Sequence, residues 1–149
     1  MLNQLRGVFS SLHKHRVKYL TIGGIAAILH GVPRATFDLD ILIEATAENA
    51  QKLLRALIGA GLGTAALTTP DQVLAHEVTV FRDRVRIDVQ TRTLGITFEQ
   101  AWARREVMTY RRQKFYVLSR SDLIASKRAA GRPQDLEDVR VLELGKGEK

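Results

Sequence analysis

Asp38-Leu39-Asp40 opens an apolar run that continues through Ile41-Leu42-Ile43. In a strand successive side chains point to opposite faces, so Asp38 and Asp40 share one face while Leu39, Ile41 and Ile43 share the other. Two carboxylates side by side repel, and a strand needed only for packing has no use for them. A divalent cation removes the repulsion, and Mg²⁺ favours oxygen ligands of this kind. Upstream, the run Tyr19-Leu-Thr-Ile22 ends in Gly23-Gly24, and a small-residue segment follows, closed by Gly31-Val32-Pro33. A Gly-Gly pair where a strand passes into a helix lets backbone N–H groups approach a phosphate closely, and a helix N-terminus adds favourable partial charge.

Downstream, Val85, Ile87 and Val89 alternate with Arg86, Asp88 and Gln90. This is the pattern of a half-buried strand, with Asp88 on its polar face. Such a strand pairs naturally beside the Asp38/Asp40 strand and supplies a third carboxylate. In two-metal phosphoryl transfer the ions sit about 3.5–4 Å apart and stabilise the attacking and leaving oxygens. The alternative is an exposed ion pair of Asp88 with Arg84 or Arg86.

Gly23-Gly24, Asp38-x-Asp40 and Asp88 together resemble the nucleotidyltransferase superfamily of polymerase-β type, in its minimal, stand-alone bacterial and archaeal form, some members of which are toxins or antitoxins. The resemblance covers most of the chain and implies several things. Asp38, Asp40 and Asp88 would be the catalytic and metal-binding carboxylates for Mg²⁺ or Mn²⁺. Gly23, Gly24, Arg34, Thr36, Lys127 and Arg132 would bind a nucleoside triphosphate. The reaction would be metal-dependent nucleotidyl transfer to an acceptor hydroxyl on protein, RNA such as tRNA, or a small molecule, with release of pyrophosphate. A non-catalytic nucleotide- or RNA-binding partner in a toxin–antitoxin pair is the other reading. Two site residues also have purely structural readings. Arg34 would form a salt bridge that offsets the Asp pair, and Lys127 would pair with Asp135 or Asp138 to hold two antiparallel helices together.

The remaining segments predict the surrounding fold. Leu2, Leu5, Val8, Phe9 and Leu12 form a helical stripe over residues 2–15, with His13 and His15 at its polar end. Thr46 is placed to cap a helix carrying Ala50, Leu53, Leu54, Leu57 and Ile58 on one side. Residues 62–72 read as a loop. Hairpins are expected at 76–91, turning at Arg82-Asp83-Arg84, and at 106–118, turning at Arg111-Arg112-Gln113. A short helix at 97–105 lies between them, with Phe98 and Trp102 inward. Ser119 with Asp122 suggests a capping box, Gly131 a helix stop and Pro133 a helix start. Leu136, Val139 and Leu142 or Leu144 would turn the last helix inward, and residues 145–149 read as a frayed charged end. The fold expected is α/β: a nucleotidyltransferase-like mixed sheet of about five strands, with flanking helices and a C-terminal helical pair, in one domain over residues 1–149.

Composition narrows the chemistry. There is no cysteine, which excludes a thiolate nucleophile and a Cys-ligated zinc and fits a reducing compartment. No apolar run approaches the roughly 20 residues of a membrane span, and the N-terminus lacks a signal-peptide layout, so the expectation is a cytoplasmic protein with no membrane partner. The net charge of +7 suggests an anionic partner. From Ala101 to Arg132 there are nine Lys or Arg and two acids, Glu106 and Asp122. Arginines and tyrosines in this stretch could line a nucleic-acid groove. They could equally form a solvated basic face with tyrosines set in the core.

Overall fold

The computed structural model describes residues Leu2 to Lys146. Helix α1 (Leu2–Lys14) leads into β1 (Tyr19–Ile22), α2 (Gly23–Leu29) and β2 (Asp38–Ile43). Helix α3 (Ala47–Gly59) and a 3₁₀ turn (Gly63–Leu67) precede α4 (Pro70–Ala75). Then come β3 (Val78–Arg82), β4 (Arg86–Gln90), α5 (Phe98–Ala103), β5 (Glu106–Tyr110) and β6 (Gln113–Val117). The chain ends with α6 (Arg120–Ala130) and α7 (Pro133–Lys146). The six strands form one mixed sheet in the order β3-β4-β2-β1-β6-β5, one strand more than the rough count of five.

The sheet is held by a core that α1 and α3 help to close. Phe9 of α1 stacks on Phe115 and, more loosely, on Tyr19. Leu5, Val8, Phe9 and Leu12 are all buried. Ser11 ties α1 to α3 by donating to the Ala56 carbonyl. Thr46 caps α3 by accepting from the Asn49 N–H. The Asn49 side chain in turn accepts from the Lys18 N–H and donates to the Lys18 and Glu44 carbonyls, locking the start of α3 to both flanks of the β1–β2 pair.

Several expectations shift. The segment 62–72 is not a loop: Thr69 and Gln72 form a reciprocal capping box with Pro70 at the first helical position, and α4 follows. Ser119 caps α6, but Asp122 does not complete a box, because its carboxylate takes a bidentate pair from Arg104. In α7, Val139 and Leu142 are buried whereas Leu136 and Leu144 are exposed, since this helix meets its neighbours on a narrow face and holds them with charge. Helix α7 continues through Gly145 to Lys146, so the end read as frayed is partly helical; Gly147 to Lys149 lie outside the described residues. The first hairpin turns at Asp83–Val85, one residue later than expected. Asp83 accepts from the Thr64 and Arg84 N–H groups there.

The second hairpin is also tighter than expected. Tyr110 pairs with Gln113, leaving a two-residue turn of Arg111 and Arg112. Both have positive φ, 46° and 70°. This is the geometry of a type I′ turn, whose twist suits a hairpin but favours Asn-Gly. Side chains with a Cβ lose about 1–2 kcal/mol per residue in this region. Replacing both together, Arg111→Asn with Arg112→Gly, is therefore expected to raise stability by about 1 kcal/mol, part of the gain being offset by glycine's freedom in the unfolded chain. Urea unfolding measures it, and a fall in midpoint would contradict the strain.

Candidate active site

Parallel pairing of β2 with β4 sets the centre of the site. Asp40 lies opposite Asp88, and Asp38 lies opposite Arg86. Paired residues on neighbouring strands share a face, so all four side chains project together, away from buried Leu39, Ile41, Ile87 and Val89. The three predicted carboxylates are thus brought together. Asp38 is half exposed and Asp88 mostly buried.

The electrostatics are strained. The Asp40 carboxyl is pushed up to about 7, first by burial and then by the negative charges of Asp88 and Asp38; Arg86 and Lys127 oppose the shift. Arg86 partly offsets the concentration of charge. Its Nε and Nη2 donate to the two oxygens of Asp88 at 2.9 and 3.2 Å, and Nε lies 3.9 Å from Asp38. The ion pair of Asp88 with Arg86 therefore forms, on the face that Asp88 shares with Asp40. No group of three acidic or histidine side chains among the described residues forms a ready metal cage.

The glycines fit around these groups. Gly23 has φ of 66°, and a Cβ there would collide with the Asp40 carboxylate. Gly24 lies beneath Arg34 and Thr36: a Cβ would sit 3.2 Å from the Thr36 methyl and 3.3 Å from both terminal nitrogens of Arg34. No side chain caps the start of α2.

A second wall comes from α6 and α7. Asp138, fully buried, accepts a bidentate pair from Arg34 at 3.2 and 2.8 Å and lies 2.8 Å from the Lys127 ammonium. Gln134 donates to it as well. Burial alone would raise the Asp138 carboxyl, but the hydrogen bonds from Arg34, Lys127 and Gln134 hold it below the usual range. Asp135 pairs with Arg132 at 2.7 Å and with Lys127 at 3.4 Å. The salt bridge expected of Arg34 does form, but to Asp138 on α7 and not to the Asp38/Asp40 pair. Lys127 takes the helix-clamping contacts, with both aspartates. Each of the cations Arg34, Lys127 and Arg132 nonetheless lines the same cavity as Gly23, Gly24, Thr36, Asp38, Asp40 and Asp88.

That cavity is about 550 Å³. Val78, Gln90 and Thr93 line its far side, on β3, β4 and the segment beyond. Sequence reasoning missed this flank. Gln90 was identifiable, because it follows Asp88 by two residues on the same face; Thr93 lies past the strand and left no signal. Arg86 was named only as an ion-pair partner, and its contact with Asp38 depends on the β2–β4 register.

The donor set suits a hard divalent cation. Three carboxylates crowd one face with more negative charge than Arg86 balances, and Gly23 lets the turn close directly against the Asp40 carboxylate. The carboxylates of the sheet and the ion-paired cations Arg34, Lys127 and Arg132 thus line one cavity with the glycine turn. The chain belongs to the family described as nucleotidyltransferase of unknown function (DUF6036), whose model matches residues 2–146. No curated protein matches the chain. No described helix is long and apolar enough to cross a membrane.

Two measurements test these electrostatics. Native Asp40 keeps its proton up to about pH 7, whereas an unfolded aspartate loses it near 3.8. The folded state binds the extra proton, so stability from this group is complete below about pH 4 and lost as pH rises through 7. Asp40→Asn in chelator should raise the thermal midpoint at pH 8 and leave it unchanged at pH 4. An equal gain at both pH values would remove the argument. Separately, Asp138→Ala removes the only carboxylate paired with Arg34 among the described residues and leaves buried Lys127 with Asp135 alone, at 3.4 Å. It is expected to cost about 3–5 kcal/mol in denaturant unfolding.

Proposed function

We propose that the chain transfers a nucleotidyl group from a nucleoside triphosphate to an acceptor hydroxyl, in the manner of polymerase-β-type enzymes. One observation carries this reading: the opposed charge of the two cavity walls. Carboxylates at positions 38, 40 and 88 face Arg34, Lys127 and Arg132 across a cavity large enough for a nucleotide. A triphosphate with its divalent cation has matching halves.

In this reading Asp38, Asp40 and Asp88 would hold Mg²⁺ or Mn²⁺, which would supply charge neutralisation at the phosphates and the leaving group. Arg86, paired with Asp88, would compete for the same oxygens. The phosphates lie over Gly23 and Gly24, where the uncapped first turn of α2 offers N–H donors and no Cβ intrudes. Arg132, exposed at its tip, reaches the phosphate tail. Arg34 and Lys127 act from behind it, fixed by Asp138. The acceptor enters on the Val78, Gln90 and Thr93 side. Its oxygen attacks the α-phosphorus, a new P–O bond forms, the bond to the bridging oxygen breaks, and pyrophosphate leaves. The hydroxyl proton passes to Asp88. Most of the rate comes from position and charge, which fits a site with no unusual nucleophile.

The test is transfer of α-labelled ATP, CTP, GTP and UTP with Mg²⁺ to RNA, to protein and to small hydroxyl compounds. Label should appear in one acceptor class and fall at least about 100-fold in Asp40→Asn, as for loss of a main electrostatic contact. Arg132→Gln should chiefly raise KM for the nucleotide. Absence of transfer with all four nucleotides, or transfer that survives Asp40→Asn with Asp88→Asn, would end the proposal.

A further inference from the structure

Every non-glycine residue with positive φ among the described residues is an arginine: Arg16 at 57°, Arg111 at 46° and Arg112 at 70°. Asparagine or glycine suits such positions better. Local strain of this sort persists where the surrounding structure fixes it, and it clusters at functional sites. The three are not scattered. Helix α1 begins beside the β5–β6 turn, where Arg6 donates to the Arg111 carbonyl and Tyr110 donates to Asn3. The helix ends at His13 and Lys14, next to Arg16. The span from Arg6 to His13 is about 10 Å.

At that far end lies a second cavity of about 300 Å³, lined by His13, Arg16, Val17, Lys18, Trp102 and Tyr116. It sits before the N-terminal end of β1, whereas Gly23 and the carboxylates lie at the C-terminal end, about 13 Å away along a four-residue strand. The Arg105 guanidinium lies 3.9 Å from the Trp102 ring centroid and 5.1 Å from that of Tyr116. No carboxylate pairs with it among the described residues, and its Nε is buried without a hydrogen-bond partner. Acids are scarce along the strip. Helix α1 and β6 have none, and the one acid of β5, Glu106, turns to His30 at 3.2 Å. Lys18 is held by Glu44, but Arg6, Arg16, Arg111, Arg112 and Lys114 have no acidic partner among the described residues.

We propose that this strip, running from the β5–β6 turn along α1 to the Trp102–Tyr116 cavity, binds single-stranded nucleic acid. Trp102 carries Phe98 stacked at 5.6 Å and Arg105 at 3.9 Å, so the flat surface at this end is a guanidinium backed by rings; cations leading to it match a chain of phosphates carrying flat bases, and neither contact consults the sugar. An acidic peptide would meet the cations but has no use for the ring cluster. The site does not depend on nucleotidyl transfer.

Trp102 is the only tryptophan, so its emission reports this site directly. Octauridylate and octathymidylate titrated into the full chain should each change that emission saturably, with affinities within a few-fold of one another. Log K should fall linearly with log salt, by about 0.7 for each phosphate neutralised. The variant R16N/R111N/R112G places residues suited to positive φ and should unfold no more easily than wild type. It should bind at least tenfold more weakly, with a salt slope smaller by about 2, from three contacts of about 0.7 each. Asp40→Asn should bind like wild type, which separates this result from any failure of transfer. Wild-type affinity and slope in the triple variant would overturn the proposal. So would nucleic-acid binding that leaves Trp102 emission unchanged, or a polyglutamate peptide that matches the oligonucleotides.

Discussion

The parallel pairing of β2 with β4 concentrates like charge on one sheet face, and the rest of the structure accommodates that concentration. Backbone hydrogen bonds fix the register, so the carboxylates cannot separate by sliding. A one-residue slip would turn the buried residues of the strand that moved out of the core, Leu39 and Ile41 for β2 or Ile87 and Val89 for β4. The repulsion is relieved in three ways. Asp40 holds a proton near neutrality, Arg86 pairs with Asp88, and Lys127 contributes from the opposite wall. Each is reversible, so the charge on this face can change without the strands moving apart.

The helical wall is organised differently. Its charges are satisfied within the protein, with Asp138 as the shared partner of Arg34 and Lys127. Buried ion pairs of this kind contribute little net stability, because desolvation offsets attraction, but they fix geometry tightly. Arg34 joins the turn before β2 to α7, and Lys127 joins α6 to α7. The cationic side of the cavity is thereby referenced to the strand that carries the acidic side. Lys127 and Arg34 thus have structural and functional readings that do not compete, since the clamp is what positions them.

Much of this was legible in the sequence, for local reasons. Alternation in 85–90, the Thr46 and Ser119 caps and the Gly131 stop depend on neighbours within a few residues, and all are present. The gathering of Asp38, Asp40 and Asp88 was also readable, because strand periodicity fixes faces and a short hairpin limits where β4 can go. What escaped depended on distant partners or on counting a turn. The box at Thr69 and Gln72 was passed over because threonine, proline and aspartate together also spell a loop. The outward Leu136 and Leu144 have the right spacing for a core face, but α7 is held by Asp135 and Asp138 on its buried side. Arg34 to Asp138 crosses 104 positions, and no local pattern announces it. The Arg111-Arg112 turn was placed one residue too long, since arginine gives no sign of a left-handed backbone.

Gly23 has a mechanical consequence. With no side chain there, the main chain of the glycine turn rests directly against the Asp40 carboxylate. Nothing compressible lies between them. A body pressing on that turn from the cavity is felt at the carboxylate at once, and a change in the carboxylate's surroundings pushes back on the turn. The turn and the carboxylate therefore shift together, and any side chain added at position 23 would displace both.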